Sequence, residues 1–496
     1  MARRGTHSEF DRPEPRREAR RAFLRTLGGL TLLGLYPRFV WAQAGLEKGG
    51  LEKGGPEQGL STTSSEAKSP PTQDAGATSP AVPDSSSSWP PATPKALRIG
   101  VLLPLTGRFA PPALEVQRGI ELGVSLRGPL EGPTLKVVYQ DTREDINLTV
   151  QAIEAFAEQE DVVAVIGPLV SATADAAARA AERVQLPLLA LIQKPNIPYL
   201  GSYVFRCFMT PEQQVRQLVA YSMDNLGLTR FAVAYPETRY AMELTALFWD
   251  EVSRRGGLLT ALEGYAPDTR DFLPIARRLG SQHHIDTRRA EFDAGEKAWL
   301  EQWRSKGQKP PQPYQLPPKV DFDALFISDQ PRMVAPLSSA LAYAEIPMGR
   351  FRPPGAKGGV RLLGISSWND ASLSAVDERY VQDALFVDQF FAGAPEPEVR
   401  AFVEQLKRVH KGEPTSLSAV GYDAYGLLHR ALSTQLMAGL PLTRSGVRDG
   451  LLRMPRYAGA TGSLKLDSSG ELQRNLPVIS VEGKRLVRVH PLGLEE

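Results

Sequence analysis

The 496-residue chain is 42% hydrophobic and 23% charged, a globular composition with room for two or three domains. Residues 1–44 carry nine Arg and four acidic residues, so the formal net charge of +2 becomes 2 − 5 = −3 for the remainder, and nothing electrostatic points to nucleic acid. A single cysteine, Cys207, excludes an intrachain disulfide or a thiolate zinc centre; with the six histidines scattered apart from His283-His284, no metal or other cofactor is expected.

In chain order, the first element is an address. Arg20-Arg21 precede Phe23-Leu24, an apolar run spans Leu27 to Tyr36, and Ala42-Gln43-Ala44 makes a small-x-small cleavage pattern. Residues 1–44 therefore read as a twin-arginine export signal to the periplasm. The run is too short and too Gly-rich to span a bilayer comfortably, so no membrane span is expected once the signal is removed. No cysteine lies near the cleavage site to carry a lipid, so the mature protein is not expected to be a lipoprotein. Residues 45–96 follow as a Pro-, Ser- and Gly-rich tether, opening with Gly-Leu-Glu-Lys-Gly twice, too poor in apolar residues to order. Ser65-x-x-Lys68 within it lacks the packed helix that acylating enzymes need.

From Leu97 the pattern changes. Apolar runs at 97–103, 135–140, 162–166, 188–192, 231–235, 257–262, 324–327, 360–364 and 384–388 read as strands buried on both faces. Segments at 114–126, 148–158, 173–184, 213–226, 241–255 and 333–343 have helical periodicity. The alternation predicts an α/β protein of right-handed units with parallel sheets, and nine strands favour two lobes over one. Residues 281–319 interrupt the rhythm with a charged, then Pro-rich insertion. Trp299 and Trp303, four apart on an exposed helix, are expected to pack on the parent lobe, the sharper reading being a docking element for a partner.

Ligands of parallel sheets bind beyond the strands' carboxyl ends. After the first strand, Thr106, Arg108 and Phe109 flank a turn at Gly107, with Arg108 a candidate for an anionic group. After 162–166, Ser171, Ala172 and Thr173 open a helix whose hydroxyl and free N–H groups suit a carboxylate or phosphate, unless Ser171 is a plain cap. After 188–192, Gln193 and Lys194 would face the same crevice. No nucleophile elbow, phosphate-binding loop, dinucleotide glycine fingerprint or His-Glu-x-x-His is present, so a non-catalytic protein is expected.

The order of these features resembles the type I periplasmic solute-binding proteins, the Leu/Ile/Val-binding group of ABC-transporter receptors. The likeness rests on Leu97–Gly107, Arg118–Leu122, Asp141, Val163–Pro168 before Ser171, Tyr203–Arg206, Gly421–Ala424 and Gly459–Leu464. Within that group Leu191–Pro198, Phe205–Gln214 and Phe322–Ile327 are most similar to penicillin-binding-protein activators. The resemblance implies two Rossmann-like lobes, 97–209 with 391–468 and 210–390 with 469–496, joined by crossovers near 208–212, 389–394 and 465–475. It implies a ligand held between them, its carboxylate on Ser171. The family's Thr falls at Lys194, its acidic partner for an ammonium at Ser366, and its Tyr-Gly pair at Tyr240-Ala241. Asp329 or Glu237 would have to supply the missing charge. The implied function is capture of a small polar solute (amino acid, amide or similar) for an ABC permease. The alternative is an envelope protein using the fold to bind a penicillin-binding protein.

Overall fold

The computed structural model describes residues 96–283, 285–353, 358–374 and 378–489. The export signal expected at 1–44 and the tether through Lys95 lie outside the described residues, whereas Ala96 opens the first strand.

The chain begins with β1 (Ala96–Leu103), α1 (Ala110–Arg127), β2 (Thr134–Asp141), α2 (Ile146–Ala157), β3 (Val162–Ile166), α3 (Ser171–Arg183), β4 (Leu188–Ala190) and β5 (Val204–Arg206). The strands form one parallel sheet in the order β2-β1-β3-β4-β5. Helices cover both faces, which is why β3 is unbroken Val-Val-Ala-Val-Ile and wholly buried. Leu97, Ile99, Val101 and Leu103 of β1 join one apolar cluster, while Leu102 joins another with Ile153 and Phe156 of α2 and Ala177 and Ala181 of α3.

The chain crosses at Cys207–Thr210 into α4 (Pro211–Ala220), where a Thr210–Gln213 capping box sets the helix start. Then come β6 (Arg230–Pro236), α5 (Arg239–Arg254), β7 (Leu258–Tyr265), α6 (Leu273–Leu279), α7 (Arg289–Ser305), β8 (Ala324–Ile327), α8 (Pro331–Tyr343), β9 (Arg361–Leu363) and β10 (Leu385–Val387). It returns with α9 (Pro397–His410), α10 (Ser416–Met437) and α11 (Arg444–Arg453), of which α10 and α11 supply Val420, Leu428, Val447 and Leu451 to the open face of the first sheet. A small antiparallel sheet follows, β11 (Tyr457–Gly459), β12 (Gly462–Leu466) and β13 (Leu472–Gln473). Last come β14 (Val478–Glu482) and β15 (Arg485–Val489), antiparallel additions to a seven-stranded sheet ordered β15-β14-β10-β9-β8-β6-β7. The fold is thus an α/β, two-sheet architecture, as the alternation predicts. The division expected at 468/469 falls inside the small sheet: Leu466 pairs with Leu472, and both are buried in the first unit's core. Among the described residues no helix is long and apolar enough to cross a membrane.

The insertion departs from expectation. Trp299 packs against Trp303 and against Tyr314 of the insertion's own Pro-rich return, each with ring centroids 6.3 Å apart, and Phe292 meets Tyr314 at 5.5 Å. The aromatic face of α7 is therefore covered from within the insertion rather than by the parent lobe, and no α7 residue is fully buried. Within the insertion, Arg288 donates to the Ser281 and Pro317 carbonyls (both 3.0 Å) and Gln282 to that of Leu316 (3.0 Å), tying its two ends together. Bonds to the parent lobe run from Arg277 of α6 to Gln315 Oε1 (3.1 Å) and from the Lys319 N–H to the Gly280 carbonyl (2.8 Å).

Three passages join the units, 207–210, 388–396 and 474–477. Arg474 sits where they meet. Its guanidinium donates to the Cys207 carbonyl (3.1 Å), to Gln389 Oε1 (3.3 Å) and to Thr461 Oγ1 (3.0 Å). Gln389 Oε1 also accepts the Met209 N–H (2.9 Å), so one side chain of the second passage holds the first. Buried Asp423 accepts the Ala460 and Thr461 N–H groups and the Thr461 hydroxyl, all at 2.7 Å. Asp388 accepts Asn369 Nδ2 (2.8 Å) from the second unit and the Ser416 hydroxyl from the start of α10.

Two predictions follow from this packing. Phe248 of α5 is fully buried, stacked on Phe326 at 4.3 Å and edge-on to Phe231 at 5.7 Å. Phe248→Ala should cost about 3–5 kcal/mol in urea unfolding, and a loss under about 1 kcal/mol would contradict the packing. Burial raises the Asp388 carboxyl from 3.8 to about 6, against the opposing pull of its hydrogen bonds and Arg474. Between those values the folded state holds more protons than the unfolded, so this group's contribution to stability falls as pH rises from about 4 to about 6. The full cost above pH 6 is about 3 kcal/mol. Asp388→Asn should gain on the wild type by roughly that amount between about pH 4 and pH 7. Parallel stability–pH curves for the two proteins would refute this.

Candidate functional site

The sequence-predicted residues fall at the carboxyl ends of the two parallel sheets. On the first sheet, β1 runs into a loop organised by Asp141 at the end of β2. Its carboxylate accepts the Leu105 N–H (2.9 Å), the Thr106 hydroxyl (2.6 Å) and the Arg143 N–H (3.1 Å). Thr106 thus serves the loop's own geometry. Arg108 is engaged as well: its guanidinium pairs with Glu144 at 2.8 Å and lies over the Phe109 ring, 4.8 Å from its centroid. Phe109 is buried and precedes α1.

At the end of β3, Gly167 has φ +109° and a Cβ there would lie 2.2 Å from the Leu102 carbonyl oxygen, so only glycine lets β3 turn this close to β1. The next helix, α3, begins at Ser171 with Val170 as its cap residue, and no side chain caps it. Ser171 is therefore not the plain cap. Its hydroxyl is exposed and, among the described residues, bonds no protein group. Thr173 is the buried member of the trio, its hydroxyl donating to the Val170 carbonyl (3.0 Å), while Ala172 is exposed. The N–H groups of a first helical turn have no partner within the helix and point outward along its axis, the arrangement that receives an anion.

After β4, Gln193 and Lys194 are half-buried. Lys194 forms an ion pair with Asp175, one turn into α3, which ties this loop to the helix that Ser171 opens. Both cations of the first unit's candidate set thus carry an internal acid. Sequence reasoning missed Glu144 and Asp175 as their partners. The Ser171-to-Asp175 spacing of four was a usable signal, because it stacks the two side chains on one helix face.

On the second sheet, Tyr240 lies in the first turn of α5, its phenol pushed up to about 12 by burial first and Glu243 second. Asp329 follows β8. Its carboxylate accepts the Tyr265 hydroxyl (2.9 Å) and the Gln330 N–H (2.7 Å), its carbonyl accepts Trp368 Nε1 (2.9 Å), and burial raises its pKa. Ser366 is buried in the short turn after β9. Beside it the Ser367 hydroxyl is buried without a hydrogen-bond partner. The structure thus brings Thr106, Ser171, Gln193 and Lys194 to one sheet edge and Tyr240, Asp329 and Ser366 to another. Among the described residues no hydrogen bond or ion pair links the two sets.

The fold agrees with comparison to known proteins. A family model described as periplasmic binding protein matches residues 96–284 and 350–485, leaving the 289–305 helix in the unmatched gap. A Rhodospirillum rubrum structure, assigned to a branched-chain amino acid ABC transporter, is similar over 79% of this chain and 100% of its own, at 22% identity and TM-score 0.63. The leucine-binding protein LivK of Thermotoga maritima is similar over 80% of this chain and 98% of its own (22% identity, TM-score 0.54). A solute-binding protein of an ABC transporter from Rhodopseudomonas palustris BisB5, solved with 3,4-dihydroxybenzoic acid, covers 78% of this chain and 94% of its own (16% identity, TM-score 0.56). No protein of curated function matches by sequence. With more than half of its length matched by the family model and both sheets in place, the chain belongs to the periplasmic binding proteins of type I fold.

Proposed function

We propose that the protein is an exported, non-catalytic receptor that captures a small polar solute with a carboxylate end between its two lobes and presents it to an ABC permease. The observation that carries the reading is Ser171, whose exposed hydroxyl bonds no protein group and whose helix start has no side-chain cap, next to charged side chains that are already paired. Family membership supports solute binding in general. The proteins named for leucine and solved with dihydroxybenzoic acid share a carboxylate in those ligands, the group that Ser171 suits.

For the ligand's other end, the second lobe offers the hydroxyls of Ser366 and Tyr240. Asp329 is a poor ammonium partner, because its oxygens already accept two hydrogen bonds and burial favours its neutral form. An amide or other small acid fits these residues as well as an amino acid does. Export through the twin-arginine route, without a lipid anchor, belongs to the same reading. A second reading, a scaffold for a penicillin-binding protein, draws on the α7 insertion, none of whose helix residues is fully buried.

A thermal-shift screen of the chain from Gly45 against amino acids, amides, organic acids and muropeptides separates the two. A ligand at 100 times its dissociation constant should stabilise the fold by about 2.7 kcal/mol. Ser171→Ala should weaken that ligand roughly tenfold to a hundredfold, the worth of a hydrogen bond to a charged group. A screen without any shift would sink the receptor reading and turn attention to α7.

A further inference from the structure

The loop from Leu191 to Lys194 lies in neither helix nor strand, and a side chain holds its end. Arg206, the last residue of β5, is 4% exposed. Its Nε and Nη2 pair with the two carboxylate oxygens of Glu471, the Nε–Oε2 distance being 2.9 Å, and its Nη1 donates to the Lys194 carbonyl. Glu471 is itself fixed. Asp467 accepts the Glu471 N–H (3.1 Å) and the Ser469 N–H (2.9 Å), and the Gly470 carbonyl accepts the Arg206 N–H (2.9 Å). Gly470 has φ +86°, and a Cβ there would meet the Val204 carbonyl oxygen at 2.6 Å, so the turn fits against β5 only with glycine.

A guanidinium is a rigid planar fork, so using one edge on Glu471 fixes where the remaining donor points. That donor holds the loop carrying Gln193 and Lys194. Arg206 directly precedes the first passage, and Glu471 lies three residues before Arg474 of the third.

We propose that Arg206 is a positioning residue that locks the 191–194 loop to the roots of two inter-lobe passages, so that loop and hinge move as one body. Its consequence for ligand affinity rests on the receptor reading above; the mechanical attachment does not. Lysine keeps the charge but lacks the fork, and cannot serve Glu471 and the Lys194 carbonyl together.

The test has two arms. In the first, a nitroxide is attached at Gln193→Cys, with Tyr199→Cys, 70% exposed in the same unit, as control; the native Cys207 is buried away from the reagent. Arg206→Lys should shorten the correlation time at 193 roughly twofold and leave 199 unchanged, as loss of one anchor at a rigid fork implies. No change at 193, or equal change at both sites, overturns the proposal. In the second arm, for any compound that the wild type binds, Arg206→Lys and Glu471→Gln should each weaken binding about tenfold, chiefly through faster release. Unaltered affinity and release overturn the coupling to the ligand while leaving the receptor reading standing. If the wild type binds nothing, the receptor reading falls and the nitroxide arm alone decides the attachment. If Arg206→Lys loses its far-ultraviolet circular dichroism, Glu471→Gln carries both arms.

Discussion

The structure depends on one buried guanidinium. Where three chain passages leave one sheet for another, their backbone groups lose the regular partners that a strand supplies, and each still has to be satisfied. Arg474, itself on the third passage, ties it to the other two, bonding the Cys207 carbonyl of the first and the Gln389 side chain of the second, and reaches the Thr461 hydroxyl of the small sheet's first turn. Burial costs the cation its hydration and lowers its pKa, while Asp423 and Asp388 oppose that shift. The two acids are held at their own positions by bonds to the small sheet and to the start of α10. Removing the arginine would leave two buried carboxyl groups without their cation, which is why this junction is a network rather than a set of separable contacts.

Around that junction the strand ends are polar but internally balanced. Arg108 is met by Glu144, Lys194 by Asp175, and Asp141 by the hydroxyl and amides of its loop. Such pairing sets the shape of each loop and leaves little unsatisfied charge to attract ions indiscriminately. Against this background the Ser171 hydroxyl and its helix start stand out, because selectivity for a carboxylate comes more cheaply from dipoles already aligned than from a mobile cation.

The α7 insertion follows a different rule. It sits between strands β7 and β8 of the second sheet, yet its aromatic residues close on one another through Tyr314, and hydrogen bonds from Arg277 to Gln315 and from Lys319 to Gly280 join it to the lobe. An insertion that buries its own apolar face can be carried by a parent lobe without redesigning that lobe's core, and the unmatched gap in the family model falls on it.

The sequence by itself determined the parts governed by local pattern. Apolar runs such as 162–166 and 324–327 coincide with β3 and β8 to the residue, because strands buried on both faces need unbroken apolar side chains. The helix after Gly167-Pro168 was legible for the same reason, as was the placement of Ser171 at its start. Tertiary structure alone decided what depends on residues far apart in the chain. The pairs Arg108–Glu144 and Lys194–Asp175 lie 36 and 19 residues apart, and Arg206–Glu471 lies 265 apart. The antiparallel β14 and β15 escaped notice because a strand joins a sheet through its partner's free edge, not through its own composition. The tryptophans of α7 announced a packed face by their spacing, but only the folded chain could choose Tyr314 as the surface they pack on. Periodicity records which face of an element is buried; which surface buries it is set by chain topology, and that is not written in any local window of sequence.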